Sequence, residues 1–157
     1  MEREILIYTD GGCSGNPGPG GWGYVVLDGG QPAVSAILDK RWGAEAGTTN
    51  NRMELLAVIN AFEWLRDRAG FAPKSVTVYT DSQYVQKGIS QWIVSWKRNG
   101  WRTASKDPVK NRDLWMRLDE LTALFTPEWR WVKGHAGNEY NEICDAMTQE
   151  AIASLRA

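Results

Sequence analysis

Four acidic residues are placed so that one fold could bring their carboxylates together. Asp10 and Asp81 each follow a run of apolar and β-branched residues that is typical of a buried strand. Glu54 lies at the start of one predicted helix, and Asp145 lies on another. Clustered carboxylates raise one another's pKa unless a cation is present, and a site with only oxygen ligands favours Mg²⁺ or Mn²⁺ over zinc. Two such ions about 3.5–4 Å apart can hold the attacking and leaving oxygens of a phosphoryl transfer.

Each of these acids also has a simpler explanation when it is considered alone. Asp10 begins an Asp-Gly turn, and Glu54 has capping-box spacing from Asn51. Asp81 can cap the helix that follows it, and Asp145 can be an ordinary surface residue. The placement of all four at one rim of the predicted fold favours a metal site over these separate roles.

The predicted elements explain why the acids would meet. Three successive strands with short links are predicted to be antiparallel neighbours. The fourth strand follows a helix, so we expect it to run parallel to its neighbour through a right-handed crossover. If that neighbour is the first strand, Asp10 and Asp81 lie side by side where the antiparallel and parallel halves of the sheet meet. These strands are predicted at residues 5–8, 22–27, 33–38 and 75–80, and the helical stripe between the third and fourth consists of Leu55, Val58, Ile59, Phe62 and Leu65.

The remainder of the chain is predicted to hold helices, a fifth strand and two loops. The only histidine, His135, lies in a glycine-flanked loop before the last helix. It could move a proton beside a metal site, or it could be an ordinary loop residue. The predicted segments are a linker at 43–47, a short helix at 90–98, a helix at 112–124, a strand at 128–132, a loop at 133–137 and a final helix whose apolar face holds Tyr140, Ile143, Cys144, Met147 and Ala151.

A glycine-rich stretch at residues 11–21 follows Asp10 and is predicted to be a loop. Glycine has no β-carbon, so this loop would let a ligand approach the backbone closely. Residues 18–23 match the dinucleotide-binding pattern G-x-G-x-x-G. That motif must lead into a helix, whereas a strand-like segment follows here, so we reject binding of a nucleotide cofactor.

Length and composition indicate one ordinary globular domain over residues 1–157. No apolar run reaches the roughly 18 residues that a membrane helix needs, and the first residues do not have the form of a signal peptide. Cys13 and Cys144 make neither a metal-binding pattern nor a disulfide framework, which is typical of a reducing cytoplasm. We therefore expect a cytoplasmic monomer with no membrane partner.

Charge is distributed unevenly along the chain. The net charge is −1, yet residues 82–112 contain seven basic residues and one acidic residue. A bare charge run is usually a solvated surface, but segregation of this size also fits a patch that meets phosphates. Of the nine tryptophans, three lie in this segment; Trp22, Trp64, Trp115, Trp129 and Trp131 are predicted to pack in the core, and Trp42 has no predicted role.

Five segments of the chain resemble bacterial type 1 ribonucleases H and occur in the order found in that family. Four of the five contain one of the acids discussed above. Any one segment would be a weak match, but together they are specific and extend over nearly the whole chain. They are residues 8–11 with 15–21, 48–55, 80–85, 131–137 and 141–145.

The resemblance implies an α/β protein with the ribonuclease H-like fold, in which a five-stranded mixed sheet of order 3-2-1-4-5 is flanked by helices. It also implies endonucleolytic hydrolysis of the RNA strand of an RNA/DNA hybrid, largely independent of sequence, that leaves 5′-phosphate and 3′-hydroxyl ends. Asp10, Glu54, Asp81 and Asp145 would hold two Mg²⁺ ions, for which Mn²⁺ is a possible substitute. Asp10 would bridge both ions, and His135 would assist turnover.

The family's substrate contacts have counterparts in this sequence. Recognition of RNA requires sensing of the 2′-hydroxyl, which both donates and accepts hydrogen bonds. The counterparts of the contacts to the RNA strand are Gly11, Cys13, Asn16, Asn50, Asn51 and Gln83. Thr49 and Asn111 correspond to the family's pocket for a DNA phosphate. The counterparts of the family's basic protrusion are Trp92, Trp96, Lys97, Arg98, Trp101 and Arg102.

Two departures from the family pattern lie near the predicted site. Residues 138–140 replace a common His-Pro after the His135 loop, and Met147-Thr148 replaces a common Leu-Ala pair in the last helix. Neither departure removes a predicted metal ligand. Two alternatives stay open: another phosphoryl-transfer nuclease of the same fold, and a module that binds hybrids without cleaving them. The residues that match the basic, tryptophan-bearing protrusion, together with the asparagine and glutamine contacts, disfavour the first, and the four intact acids disfavour the second.

Overall fold

A five-stranded mixed sheet forms the centre of the protein, with the strand order β3-β2-β1-β4-β5. The computed structural model describes residues 3–29, 37–68, 73–132 and 139–155. The predicted order of the strands is confirmed. The strands are β1 at Arg3–Cys13, β2 at Gly18–Asp28, β3 at Ile37–Thr48, β4 at Pro73–Thr80 and β5 at Glu128–Trp131.

Helices cover both faces of this sheet. On one face α1 and α4 enclose the larger apolar cluster, and on the other α5 covers a smaller cluster that includes Tyr8, Val25 and Cys144. The helices are α1 at Asn50–Arg66, α2 at Gln83–Lys87, α3 at Ile93–Arg98, α4 at Arg112–Phe125 and α5 at Glu139–Ser154, and a single π-helical turn at Gly88–Trp92 joins α2 to α3. In the described part of the chain, no helix combines the length and apolar character needed to cross a membrane.

The pairing of β1 with its two neighbours confirms the predicted switch in direction. β1 pairs with β2 in antiparallel register, with Asp10 opposite Gly23, and with β4 in parallel register, with Tyr8 opposite Tyr79. Parallel pairing places the ends of β1 and β4 at the same edge of the sheet. Asp10 on β1 and Asp81, directly after β4, therefore lie close together, as the crossover rule predicted.

The prediction for the glycine-rich stretch was wrong in extent. Most of residues 11–21 continue β1 or begin β2, and only residues 14–17 turn between them. The glycines are needed because helices lie directly on this hairpin. A β-carbon at Gly11 would come within 2.5 Å of the backbone of Glu54, and one at Gly21 within 2.6 Å of the Ala151 side chain. Asp10 consequently lies inside β1 rather than at its end.

The third strand was also predicted in the wrong place. The strand was expected at 33–38 with a linker at 43–47, whereas β3 covers Ile37–Thr48 and includes that linker; residues 33–36 lie outside the described part of the chain. Small residues were interpreted as linker, but Gly43 pairs with Trp22 in β2. The indole of Trp22 occupies the space that a β-carbon of Gly43 would need. Glycine within a strand can mark such a close approach rather than an end.

The apolar stripe predicted for α1 is confirmed. The predicted stripe of α1 is fully buried, and Leu114, Trp115, Leu118 and Leu121 of α4 are buried opposite it. Trp22 is buried, and Trp64 and Trp129 pack against the core at partial exposure. Trp131 does not follow the packing prediction, because it lies on the edge strand β5 with 42% of its surface exposed.

Candidate active site

Three carboxylates from distant parts of the chain meet in one cleft. An oxygen from each of Asp10, Glu54 and Asp81 lies within 4.8 Å of the others. Asp10 and Glu54 are buried, with 7% and 6% of their surfaces exposed, and Asp81 is half-buried. The cleft has a volume of about 360 Å³ and is bordered by β1, α1, α5 and the segment after β4. The clustering that the sequence predicted for these three acids is therefore present.

Helix capping does not explain the position of Glu54. The N-cap of α1 is Thr49, whose Oγ1 accepts a hydrogen bond from the backbone of Arg52 at 3.3 Å. Glu54 then lies beyond the first turn, on the face that packs against the sheet, so the capping box with Asn51 is not formed. A carboxylate this deeply buried needs a different reason to be present.

Capping does not explain Asp81 either. Ser82 is the N-cap of α2, and its Oγ accepts a hydrogen bond from the backbone of Val85 at 3.1 Å. The backbone N–H of Ser82 in turn donates to Thr80 Oγ1 at 3.0 Å. Since a neighbouring serine caps the helix, the carboxylate of Asp81 joins the cluster.

Burial opposes ionisation of Glu54 most strongly, and repulsion from the neighbouring carboxylates adds to it. Burial, followed by the charges of Asp10 and Asp81, raises the pKa of Glu54 well above its ordinary value. Hydrogen bonds from the Ser82 side chain and the Gly11 backbone act in the opposite direction, because they stabilise the ionised carboxylate. A divalent cation would remove the repulsion, and a cluster of carboxylate oxygens is the donor set that Mg²⁺ or Mn²⁺ accepts. The residues present thus fit a hard metal ion.

Asp145 borders the same cleft but does not belong to the close cluster. It projects from α5 and is half-buried, and the group within 4.8 Å holds only Asp10, Glu54 and Asp81 among the residues described. His135, with the rest of residues 133–138, lies outside the described residues, so its predicted role stays a prediction.

Several residues predicted to contact the RNA strand lie around the cleft. Gly11, Asn50, Asn51 and Gln83 line it together with the three clustered acids. Asn16 lies in the β1–β2 turn and its Oδ1 accepts a hydrogen bond from the backbone of Asn50 at 3.2 Å. The structure therefore places these polar groups beside the acids, on the hairpin, at the start of α1 and at the start of α2.

Cys13 lies farther along the same hairpin. It borders an adjoining cleft of about 460 Å³ that Gly12 and Asn50 also line, so this cleft continues from the acidic one. Its thiol is half-buried and is near two backbone carbonyls, those of Gly18 at 3.3 Å and Thr48 at 3.4 Å. Cys144 is buried, and its Sγ donates to the Tyr8 carbonyl at 3.4 Å. Neither cysteine takes part in a disulfide bond.

Thr49 and Asn111 are linked through an arginine that the sequence reasoning did not single out. The guanidinium of Arg52 donates to Asn111 Oδ1 at 3.3 Å and forms an ion pair with Asp113 at 3.2 Å. Asn111 has a left-handed backbone with φ of 59°, and its amide donates to the Tyr84 hydroxyl at 3.1 Å. This network joins the start of α1 to α2 and α4.

We call residues 92–102 the basic tryptophan segment. Its three tryptophan rings contact one another in a row, and its basic side chains are exposed to solvent. Trp96 lies between Trp92 and Trp101, at centroid distances of 5.7 and 6.4 Å. It also contacts the fully buried Trp115 of α4 at 5.4 Å, so the rings anchor the segment to the core. Lys97, Arg98 and Arg102 are exposed, and Lys97 pairs with Asp119 at 3.3 Å.

Five residues that border the acidic cleft were not among the predicted site residues. They are Gly12, Ser82, Tyr84, Thr148 and Gln149. Thr148 and Gln149 follow Asp145 by three and four positions on α5. Residues with this spacing share a helix face, so helical spacing from Asp145 was the signal that could have found them.

This chain resembles known proteins in sequence and in fold over nearly its whole length. Residues 2–153 match the family described as RNase H. The Ribonuclease H of Treponema denticola is 54% identical over 161 aligned residues, which cover 97% of this chain and 99% of that protein.

Solved structures agree with this match. LC9-RNase H1, described as a type 1 RNase H with the type 2 active-site motif, superimposes with a TM-score of 0.83 at 33% identity over 98% of this chain and 74% of its own. LC11-RNase H1, solved in complex with an RNA/DNA hybrid, has a TM-score of 0.70 at 27% identity over 98% of this chain and 99% of its own.

Proposed function

Because this chain belongs to the ribonuclease H family, we propose that it hydrolyses the RNA strand of RNA/DNA hybrids as an endonuclease and leaves 5′-phosphate and 3′-hydroxyl ends. The family match and the similarity to proteins named Ribonuclease H show a hydrolytic ribonuclease. The observation that carries the finer proposal is the cluster of Asp10, Glu54 and Asp81 within 4.8 Å. A protein that only binds a polyanion gains nothing from buried, mutually repelling carboxylates.

The cofactor proposed for this cleft is a pair of Mg²⁺ ions, for which Mn²⁺ can substitute. When bound, two such ions stabilise the charge of a phosphoryl displacement and activate a water. Asp10, Glu54, Asp81 and Asp145 are the proposed ligands. Asp10 would hold a cation together with Glu54 and Asp81, with which it clusters, and β1 also contacts α5, the helix that carries Asp145.

The residues around the metal ligands hold those ligands in place. The Ser82 side chain and the Gly11 backbone donate to Glu54 and so favour its ionised, metal-binding form. Gly11 also lets α1 lie directly on β1, which keeps Glu54 close to Asp10. Preorganised ligands lose little freedom when the cation binds.

Selection of RNA over DNA is assigned to the amides at the rim of the cleft. Asn50, Asn51 and Gln83 carry side chains that both donate and accept, as does a 2′-hydroxyl. The hydrogen bond from the Asn50 backbone to Asn16 fixes the hairpin turn against α1. Gly11 and Cys13 supply a narrow wall along which the RNA strand can lie.

Binding of the DNA strand is assigned to Thr49 and Asn111 and to the basic tryptophan segment. Arg52 holds Asn111 in contact with the start of α1, where Thr49 is the N-cap. Lys97 and Arg98 are exposed cations on a segment fixed by Trp92, Trp96 and Trp101. Contacts of this kind meet phosphates rather than base edges, so cleavage should be largely independent of sequence.

Three further assignments complete the proposal. His135, which precedes α5 in the sequence, moves a proton or assists product release. The chain acts as one domain and as a monomer. Its place of action is the bacterial cytoplasm, which its two unpaired cysteines and its bacterial relatives support.

The test is a cleavage assay with three labelled duplexes of the same sequence, RNA/DNA, RNA/RNA and DNA/DNA. Each is incubated with the protein in Mg²⁺ and in EDTA. The proposal predicts cleavage of the hybrid alone, and only with Mg²⁺. Binding of the hybrid without cleavage would instead support the non-catalytic module, and cleavage of DNA/DNA would support another nuclease of this fold.

A further inference from the structure

Thr148 carries a buried hydroxyl at the wall of the acidic cleft that has no apparent role in the fold. The residue is 1% exposed and lines the cleft together with Asp145. Its Oγ1 has no hydrogen-bond partner within the described part of the chain. A buried hydroxyl without a partner costs about 1–3 kcal/mol, so a residue of the same shape without the hydroxyl would suit this position better if the fold alone decided it.

The surroundings of Thr148 restrict what the hydroxyl can reach. Its Cγ2 methyl points toward the β1–β2 hairpin, where a β-carbon at Gly12 would lie 3.4 Å from it. Its backbone carbonyl lies against Gly21 on β2, where a β-carbon would come within 2.8 Å. The backbone of α5 is thus fixed here, and only the side chains at the cleft wall can rearrange.

Asp145 is the group that such a hydroxyl can serve. It precedes Thr148 by three positions, so the two side chains share one face of α5 with β-carbons about 5–6 Å apart. A carboxylate and a hydroxyl at that spacing can meet after a rotamer change. Asp145 also borders the cleft without belonging to the close group formed by the other three acids.

We propose that Thr148 is a positioning residue for Asp145, and that its hydroxyl donates a hydrogen bond to the Asp145 carboxylate when cations occupy the cleft. The inference rests on the proposed function, because it takes Asp145 to be a metal ligand. A donor beside a ligating carboxylate orients it and stabilises its ionised form. The Thr148 hydroxyl, which has no partner among the described residues, would gain one in this arrangement.

The experiment compares Mg²⁺ affinity, measured by calorimetry, with the thermal stability of the metal-free protein. Thr148→Val should bind Mg²⁺ about fivefold more weakly, the value of one ordinary hydrogen bond, while its metal-free melting temperature stays unchanged or rises. Thr148→Ser, which restores the donor, should bind within about twofold of the wild type. In an Asp145→Asn background, Thr148→Val should change the affinity by less than about twofold.

Thr48 provides a matched control, since its Oγ1 is also buried without a partner in the described residues but does not line the acidic cleft. Thr48→Val should leave Mg²⁺ affinity unchanged. Unchanged affinity in Thr148→Val would overturn the inference while leaving the metal site intact. A joint loss of affinity and metal-free stability would overturn it in favour of simple packing. If Asp10→Asn bound Mg²⁺ with the same affinity as the wild type, that result would contradict the proposed metal site itself, and this inference with it.

Discussion

The acidic cleft and the basic tryptophan segment are assembled in opposite ways. The cleft collects buried and half-buried carboxylates from β1, from α1 and from the segment after β4, which are far apart in the chain. The basic tryptophan segment is a run of eleven residues in which neighbouring rings contact one another and the cations face solvent. The cleft therefore depends on the sheet topology, whereas the segment depends on local helix geometry and one anchor, Trp115.

This difference predicts different consequences when each region is damaged. Repelling charges in the cleft are held by the fold at a cost in stability, so neutral substitutions there should remove activity without unfolding the protein. Exposed cations in the segment cost the fold little, so their removal should weaken substrate binding and leave the chemistry unchanged.

The largest effect is expected from Asp10→Asn. The change removes the negative charge of one proposed metal ligand and keeps the size and shape of its buried side chain. The rate of hybrid cleavage should therefore fall by about a thousandfold or more. Binding of the hybrid should persist, because the basic tryptophan segment is unaltered. Single-turnover cleavage and a filter-binding assay measure the two quantities. Cleavage within tenfold of the wild type would show that the metal site is wrongly assigned.

A smaller effect is expected when the segment loses two cations. Lys97→Ala combined with Arg98→Ala should raise KM about tenfold, reduce the slope of log KM against log salt by roughly 1–2, and spare kcat. The matched control is Lys40→Ala with Arg41→Ala, which removes the same charge from two exposed positions of the edge strand β3. If both pairs change KM equally, the segment is an ordinary solvated surface.

The cleft also predicts a pH-dependent stability in the absence of metal. The folded-state pKa of Glu54 lies above its ordinary value of 4.5, so the metal-free protein is favoured while this group stays protonated and loses that stability as pH rises through the folded pKa. Glu54→Gln should remove this loss and raise the metal-free melting temperature near neutral pH by roughly 2–4 °C. Thermal melts in EDTA across pH measure it.

The control for this experiment is Glu142→Gln, an exposed acid on α5. It should leave the pH profile of stability close to that of the wild type. A profile for Glu54→Gln that parallels the wild type at all pH values would mean that the folded chain does not raise the pKa of Glu54.

The smallest effect is expected at the contact that lies between the two regions. The Arg52–Asp113 ion pair joins α1 to α4, with the arginine 30% and the aspartate 66% exposed. Solvent screens such a pair, so Asp113→Asn should lower stability by less than about 1 kcal/mol and change KM by less than about twofold. Denaturant melts and steady-state kinetics measure both. A large loss of kcat would instead reveal coupling between α4 and the acidic cleft.

Much of this arrangement could be predicted from the residues alone, because helical periodicity and the crossover rule are strong signals. They placed the stripe of α1, the parallel pairing of β1 with β4, and therefore Asp10 beside Asp81. Glycine was the main source of error. Its presence at Gly11, Gly21 and Gly43 was interpreted as loop or linker, whereas it marks strand positions that other elements approach closely.

Side-chain partners that depend on tertiary contact could not be predicted. Ser82 rather than Asp81 caps α2, and Thr49 rather than Asn51 caps α1, although all four residue types are good caps. The Arg52 network with Asn111 and Asp113 joins positions about sixty residues apart, and local spacing carries no signal for it. The orphaned hydroxyl of Thr148 is likewise visible only once the fold is known.

The central claim is that the acidic cleft hydrolyses the RNA strand of a hybrid in a metal-dependent reaction. The most direct test uses one hybrid duplex with different labels on its RNA and DNA strands, incubated with wild-type protein in Mg²⁺ or EDTA. The account predicts that only the RNA label is shortened, only in Mg²⁺, and that the new ends carry a 5′-phosphate and a 3′-hydroxyl. Shortening of the DNA strand, or cleavage that persists in EDTA, would contradict it.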